Sequence, residues 1–351
     1  MTQNQVQSPP LRVALIGAGR IAREAHIPAW MANDGAELVW VVDNREEAAK
    51  ETAEIFGIPN WTTDYKHLLS REGIDAVDIC LPTIAHAEVT LAFLEQGCHV
   101  LLEKPVALTL QEVRDMRRAE LQSGATLMVA ENWPFSSAMQ RVTEILKEGE
   151  PWEPIMLQAR HESVNRLPPK EPLPREMGDR HRLGYLFVAG IHSLNLAREL
   201  VGEFDALTAY ATPTKAGPYY PMDDDLVIAA RFRSGAVGSF SFTGRSRHLG
   251  ERKLAFRLIA DRGVIEFDVL RGWVRSTVDG TQTEFETESP SLGYAEEVAH
   301  FLECIATGSE PRTSAEDQLH TLAVVLGAYR SLESGSSVNP ASLLSEKEGN
   351  A

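Results

Sequence analysis

The chain has 351 residues, 43% of them hydrophobic and 24% charged, enough apolar material for two cores rather than one. Its net charge of −16 gives no attraction for phosphate backbones or anionic lipid, which argues against a nucleic-acid or membrane-surface role, and no segment approaches the length of a membrane span. The three cysteines, Cys80, Cys98 and Cys304, are scattered with no C-x-x-C pair, so reduced thiols in a cytoplasm are expected and a metal site is not.

The opening residues 1–10, "MTQNQVQSPP", lack a basic region followed by an apolar stretch and read as a disordered tail. From Leu11 to Ala130 short apolar strands alternate with amphipathic helices, the pattern of a parallel sheet covered on both faces. The strands are "LRVALIG", "AELVWVVD", "DAVDICLP", "CHVLLEK" and "ATLMVA"; helices fall on "NREEAAKETAEIFG", "HAEVTLAFLEQG" and "TLQEVRDMRRAELQSG". Residues 11–131 are therefore expected to form a doubly wound α/β domain. From Asn132 onward the pattern changes to a second domain, residues 132–351. It holds a helix ("SAMQRVTEILKEG"), a strand ("EPIMLQARHE") and a proline-rich loop long enough to be a functional flap. A helix, "GYLFVAGIHSLNLAREL", follows, then β-like segments with glycine-containing turns, as in an antiparallel sheet, and two closing helices.

The first strand runs straight into "GAGRIA", a G-x-G-x-x-A turn that opens a helix. Gly17 permits the tight turn, Gly19 lets the backbone approach a pyrophosphate, and Ala22 allows close helix–strand packing. Arg20 and Ile21 lie within the same turn. Asp43 ends the second strand, where a carboxylate accepts the ribose hydroxyls and repels a 2′-phosphate, so NAD is favoured; Arg45 leaves NADP open. "LPTIAH" lies at the carboxyl end of a parallel strand, so Leu81, Pro82 and Thr83 are candidates to line the nicotinamide side, with His86 beginning the next helix. For each of these residues alone, a proline-terminated strand with a polar helix cap explains the pattern as well. "LLEKP" places Glu103 and Lys104 at the end of the next strand. An ammonium there can hold a substrate hydroxyl and stabilise an alkoxide; a Lys–Glu surface pair is the structural alternative.

In this order and spacing, "GAGRIA", "LPTIAH", "GCHVLLEKPVAL" and "AGIHSLN" resemble the glucose–fructose oxidoreductase/inositol dehydrogenase family, over nearly the whole chain. The resemblance implies an N-terminal Rossmann domain and a C-terminal α/β domain with a large, mostly antiparallel open sheet. It also implies hydride transfer between nicotinamide and a secondary alcohol of a sugar, inositol or related polyol. Subunit contacts through the open sheet face, giving a homo-oligomer (dimer or tetramer), are implied as well. By the same resemblance Lys104 is the lysine of the family's E-K-P motif, and His192 is the histidine of G-x-L-x-D-x-G-x-H-x-x-D/N. Val188 stands where that motif usually has aspartate. Helical spacing places Val188, His192 and Asn195 on one face.

His192 alone, in an apolar helix, reads as a satisfied core histidine before a catalytic one; beside a cofactor motif and the E-K-P lysine it reads as the proton carrier. Asn132, Arg160, His161, Arg166 and Asn195 join Lys104 and His192 as candidate substrate contacts, with solvated surface charge the alternative for Arg160, His161 and Arg166. The missing aspartate keeps two alternatives open: a masked redox cycle with retained NAD, leading to elimination or epimerisation, and a non-catalytic dinucleotide sensor.

Overall fold

Leu11–Ile16 (β1), whose last four side chains are buried, runs through the middle of a six-stranded sheet in the computed structural model, which describes residues 9–69, 73–162, 184–212, 225–243 and 253–346. The chain divides into two compact units. The first comprises Met1–Val106, Glu112–Ala130 and Tyr294–Ala315, and the second Ala107–Gln111, Glu131–Gly293 and Glu316–Ala351. Residues 1–8 and the whole proline-rich loop, Arg166 with it, lie outside the described residues.

In the first unit, β1 is joined by Ala36–Val42 (β2), Asn60–Thr62 (β3), Ala76–Ile79 (β4), His99–Glu103 (β5) and Leu127–Ala130 (β6) in the order β3-β2-β1-β4-β5-β6. Every neighbouring pair is parallel. The order reverses between β1 and β4, so the loops leaving their carboxyl ends part there, the place where open α/β sheets bind ligands. Helices Ile27–Met31 (α1), Glu46–Phe56 (α2), Lys66–Leu69 (α3), His86–Leu94 (α4) and Leu110–Ser123 (α5) connect the strands. Leu15, Ile27, Val41, Ala49 and Ala53 pack into one buried cluster between sheet and helices. A single π-helical turn, Ala22–His26, precedes α1. Pro28, in the first turn of α1, has no N–H for the carbonyl of residue 24, which loosens the helix at that point.

In the second unit, Ser137–Lys147 (α6) starts at Ser136, whose hydroxyl accepts the Met139 N–H at 3.3 Å. Pro154–Glu162 (β7) is followed by a π-helical turn, Leu186–Gly190, and by Ile191–Val201 (α7). Phe204–Ala211 (β8), Asp225–Phe232 (β9), Val237–Thr243 (β10), Lys253–Ala260 (β11), Gly263–Asp268 (β12), Trp273–Val278 (β13) and Thr281–Glu286 (β14) complete an eight-stranded sheet, ordered β14-β13-β12-β11-β7-β10-β9-β8. Only the β7–β10 pair is parallel. Strict alternation in β9 buries Leu226, Ile228, Ala230 and Phe232 on one face and turns Val227, Ala229 and Arg231 outward.

Tyr294–Thr307 (α8) returns to the first unit, where Phe301 packs edge-on against Trp30 at 6.1 Å. A division at residue 131 alone leaves that return out. Ala315–Ser334 (α9) and Pro340–Ser345 (α10) close the second unit. Among the described residues, no helix is long and apolar enough to cross a membrane.

Candidate active site

The turn after β1 is built for close approach. Gly17 has φ 103°, and a Cβ there would stand 2.5 Å from the Cys80 carbonyl oxygen, so a side chain would force β1 and β4 apart at their carboxyl ends. Gly19 differs: a Cβ built on it meets nothing within 4 Å, leaving open space over the turn. The helix begins at once, with the Arg23 N–H bonded to the Gly19 carbonyl at 3.2 Å, so its first amides face the same opening. Asp43, 9% exposed, takes the Ala18 N–H on Oδ2 at 3.0 Å and the Arg45 N–H on Oδ1 at 2.9 Å. Burial by itself raises this carboxyl, but the hydrogen bonds from Arg45 and Ala18 outweigh it and hold Asp43 below the usual carboxylate range. An ionised acceptor at the end of β2, an open glycine turn and a helix N-terminus together fit a dinucleotide. Ile21 packs inward on the buried cluster, and Arg20 is exposed and paired with Glu24 at 2.7 Å.

The loops after β4 and β5 carry the remaining residues expected at the cofactor. Pro82 is exposed, and Leu81 and Thr83 are half-buried. His86 is a correction. It is 1% exposed, with Nδ1 at 2.9 Å from the Pro105 carbonyl and Nε2 at 2.8 Å from the Leu81 carbonyl. It ties two loops from within instead of presenting its ring to a ligand. Glu103 is 7% exposed, and its Oε1 accepts from His26 Nε2 at 3.3 Å, so its carboxylate is a buried group and not an exposed one. Lys104 follows, half-buried, ahead of a cis peptide to Pro105.

In the second unit His192 lies in the first turn of α7, 7% exposed. Its Nδ1 donates to Glu131 Oε1 at 2.5 Å, and its ring stacks on Trp133 with centroids 4.4 Å apart and 15° between planes. Glu131 is fully buried immediately after β6. Glu131 is a site residue absent from the sequence expectations, although a carboxylate ending a parallel strand is the same signal that marks Asp43. Val188, half-buried, lies in the π turn just before α7.

Other expected substrate contacts fall elsewhere. Alternation along β7 turns Arg160 to the outer face of the sheet, 55% exposed and 3.4 Å from Glu162, and buries His161 completely on the face that carries α7. Arg160 and His161 therefore face opposite sides of β7. His161 sits inside the aromatic cluster, 5.8 Å from Trp133 and 5.4 Å from Tyr185. Asn132, 3% exposed, donates its amide to the Leu292 carbonyl at 2.6 Å. Asn195 Oδ1 accepts from Gln318 at 2.8 Å and Thr321 at 3.0 Å, so it anchors α7 to α9.

The far end of α7 is anchored by charge. Arg198 bonds Glu203 at 2.6 Å and Asp317 at 3.0 Å. Burial alone raises the Glu203 carboxyl, but hydrogen bonds from His320 and Arg198 prevail and lower it from 4.5 to about 2. A depressed carboxylate stabilises the fold above its unfolded value and loses that contribution as pH falls through the folded one. Glu203→Gln is therefore expected to cost on the order of 1 kcal/mol at neutral pH, discounted for the half-exposed setting. In thermal unfolding, the difference from wild type should shrink as pH drops from 4.5 towards 2.

The oxidoreductase-family model with the NAD-binding Rossmann fold, GFO_IDH_MocA, matches residues 11–131, and the model of that family's C-terminal α/β domain matches residues 161–339. The chain belongs to this oxidoreductase family. Its first unit is accordingly an NAD-binding Rossmann fold, and the parallel and mostly antiparallel sheets agree with the expected fold class. Among curated relatives of this oxidoreductase, D-apiose dehydrogenase of Paraburkholderia graminis is 29% identical over 95% of this chain and 90% of its own length. Myo-inositol 2-dehydrogenase of Thermotoga maritima is 26% identical over 93% of this chain and 98% of its own. A solved levoglucosan dehydrogenase in complex with NADH and L-sorbose superposes with a TM-score of 0.84 at 25% identity, covering 95% of this chain and 99% of that one.

Proposed function

We propose that the chain is an NAD-dependent dehydrogenase acting on a secondary alcohol of a sugar, inositol or related polyol, with His192 as the proton carrier. The observation that carries this reading is the buried Glu131–His192 pair stacked on Trp133. A carboxylate on Nδ1 fixes the tautomer and favours the imidazolium, so the ring takes the hydroxyl proton through Nε2. Val188 supplies no carboxylate, and Glu131 provides one from another element. NAD, when bound, accepts the hydride from the carbinol carbon. The amides of the Gly17–Gly19 turn hold its pyrophosphate, Asp43 accepts the ribose hydroxyls, and Lys104 steadies the substrate oxygen as it becomes negative. Dehydrogenases of apiose, inositol and levoglucosan among the relatives support the polyol class.

The test is NADH formation with a panel of aldoses, inositols and anhydrosugars. NAD-linked turnover on at least one is expected, with NADP disfavoured by about tenfold or more through the Asp43 charge. Tight NADH binding measured by fluorescence with no turnover on any of them would leave the sensor reading standing.

The outer face of the eight-stranded sheet, with Tyr210 and Val227 67% and 50% exposed beside Arg160 and Trp273, is proposed to meet a second copy of the chain. Light scattering should give a dimer or tetramer, and Val227→Asp should weaken it. A cytoplasmic location suits the NAD requirement and the free, buried cysteines Cys80, Cys98 and Cys304.

A further inference from the structure

Asp78 is out of keeping with its strand. β4 lies between β1 and β5 in a sheet of parallel strands, where near-continuous apolar runs are the norm, yet Asp78 is fully buried there. A charge in such a place is costly unless partnered. Its partners are specific: His26 Nδ1 lies 2.9 Å from Oδ2 and 3.1 Å from Oδ1, and the Trp30 indole N–H donates to Oδ2 at 2.7 Å. The other nitrogen of His26 reaches Glu103. Both ring nitrogens therefore face carboxylates, which accept from two N–H groups only when the ring is protonated. Burial works against that charge, but the Asp78 field outweighs it and raises His26 well above its ordinary value.

Cys80 also comes close enough that His26, Asp78 and Cys80 could be taken for a metal site. Burial pushes its thiol up, and the thiol lies 3.5 Å from Asp78 Oδ1 as a hydrogen-bond donor. In this arrangement the His26 ring and the Cys80 thiol both bond Asp78.

The chain of bonds ends on either side of Lys104. Residue 103 is held through its side chain by His26, and residue 105 is held through its carbonyl by His86, whose second nitrogen reaches Leu81 in the neighbouring loop. We propose that His26 and His86, with Asp78 behind His26, are positioning residues that fix the Glu103–Pro105 turn and thereby set where the Lys104 ammonium is presented. This rests on the role given to Lys104 in the reading above. None of the three touches substrate: His26 and His86 are each 1% exposed and Asp78 is fully buried.

His26→Asn keeps a donor near Asp78 but cannot span to Glu103, whereas His26→Gln places a donor where Nε2 was. His26→Asn is expected to lower kcat by about 10²-fold, with the KM for NAD changed less than about threefold, and His26→Gln to recover much of the loss. In a Lys104→Ala background, His26→Asn should cost less than about twofold more, because its effect runs through the lysine. Equal losses in both backgrounds would mean a structural role only and overturn the proposal.

A second arm needs no cofactor. In reductively ¹³C-methylated protein, the Lys104 resonance, identified by its disappearance in Lys104→Arg, should shift in His26→Asn and in His86→Leu and return towards its original place in His26→Gln. An unmoved resonance in folded His26→Asn and His86→Leu overturns the proposal. Absence of polyol turnover in wild type would sink the functional reading while this arm still decides the positioning role.

Discussion

His192→Ala is expected to lower kcat by about 10²- to 10⁴-fold while NADH still binds, because it removes the group proposed to take the hydroxyl proton and leaves the glycine turn and Asp43 untouched. The informative companion is Glu131→Gln. Glutamine can aim its amide N–H₂ at Nδ1 of His192, which makes Nδ1 an acceptor and puts the ring proton on Nε2. A ring protonated at Nε2 cannot accept the substrate proton, so kcat should fall nearly as far as in His192→Ala although the geometry is kept. Steady-state kinetics beside thermal unfolding separates chemistry from folding. Loss of the imidazole beside buried Glu131 should also cost about 1–3 kcal/mol of stability, whereas Glu131→Gln should cost less.

Lys104→Ala should be the second large effect, about 10²- to 10³-fold in kcat, the scale of removing one donor aimed at developing negative charge. NADH affinity, measured by fluorescence titration, should change little if the ammonium serves the substrate oxygen. Lys104→Arg should not restore the rate. Its planar fork is wider than an ammonium and would have to fit a turn held on both sides by His26 and His86. Full activity in Lys104→Arg would mean that only bulk positive charge matters there.

The parallel half of the molecule was legible because its signals are local. Apolar runs bounded by turns mark five of its six strands, and "GAGRIA" marks the glycine turn after the first. β3 has three residues, of which Asn60 and Thr62 are polar and Trp61 is exposed, so no apolar run marks it. In β14 all six side chains are exposed, with Glu284 and Glu286 on the sheet's edge, so no alternation marks it. Site residues were less legible because spacing cannot say which way a side chain points. Arg160 and His161 are neighbours in sequence and lie on opposite faces of β7. His86 and Asn195 are polar residues used to tie backbone or helices together from inside. Glu131 ends a parallel strand as Asp43 does, but it and His26 depend on partners 61 and 52 residues away, which neither local stretch identifies. His26 ends one π-helical turn and His192 follows another, a feature that hydrophobic periodicity does not encode.

The central claim concerns a carbinol hydrogen passing to nicotinamide while His192 takes the hydroxyl proton. Its most direct test uses a polyol substrate deuterated at the reacting carbon, with mass spectrometry of the nicotinamide product. The account predicts deuterium in the reduced cofactor, formed at a slower rate than with the unlabelled polyol. Turnover that leaves the label in the sugar product, or releases it to water with no reduced cofactor formed, would contradict it.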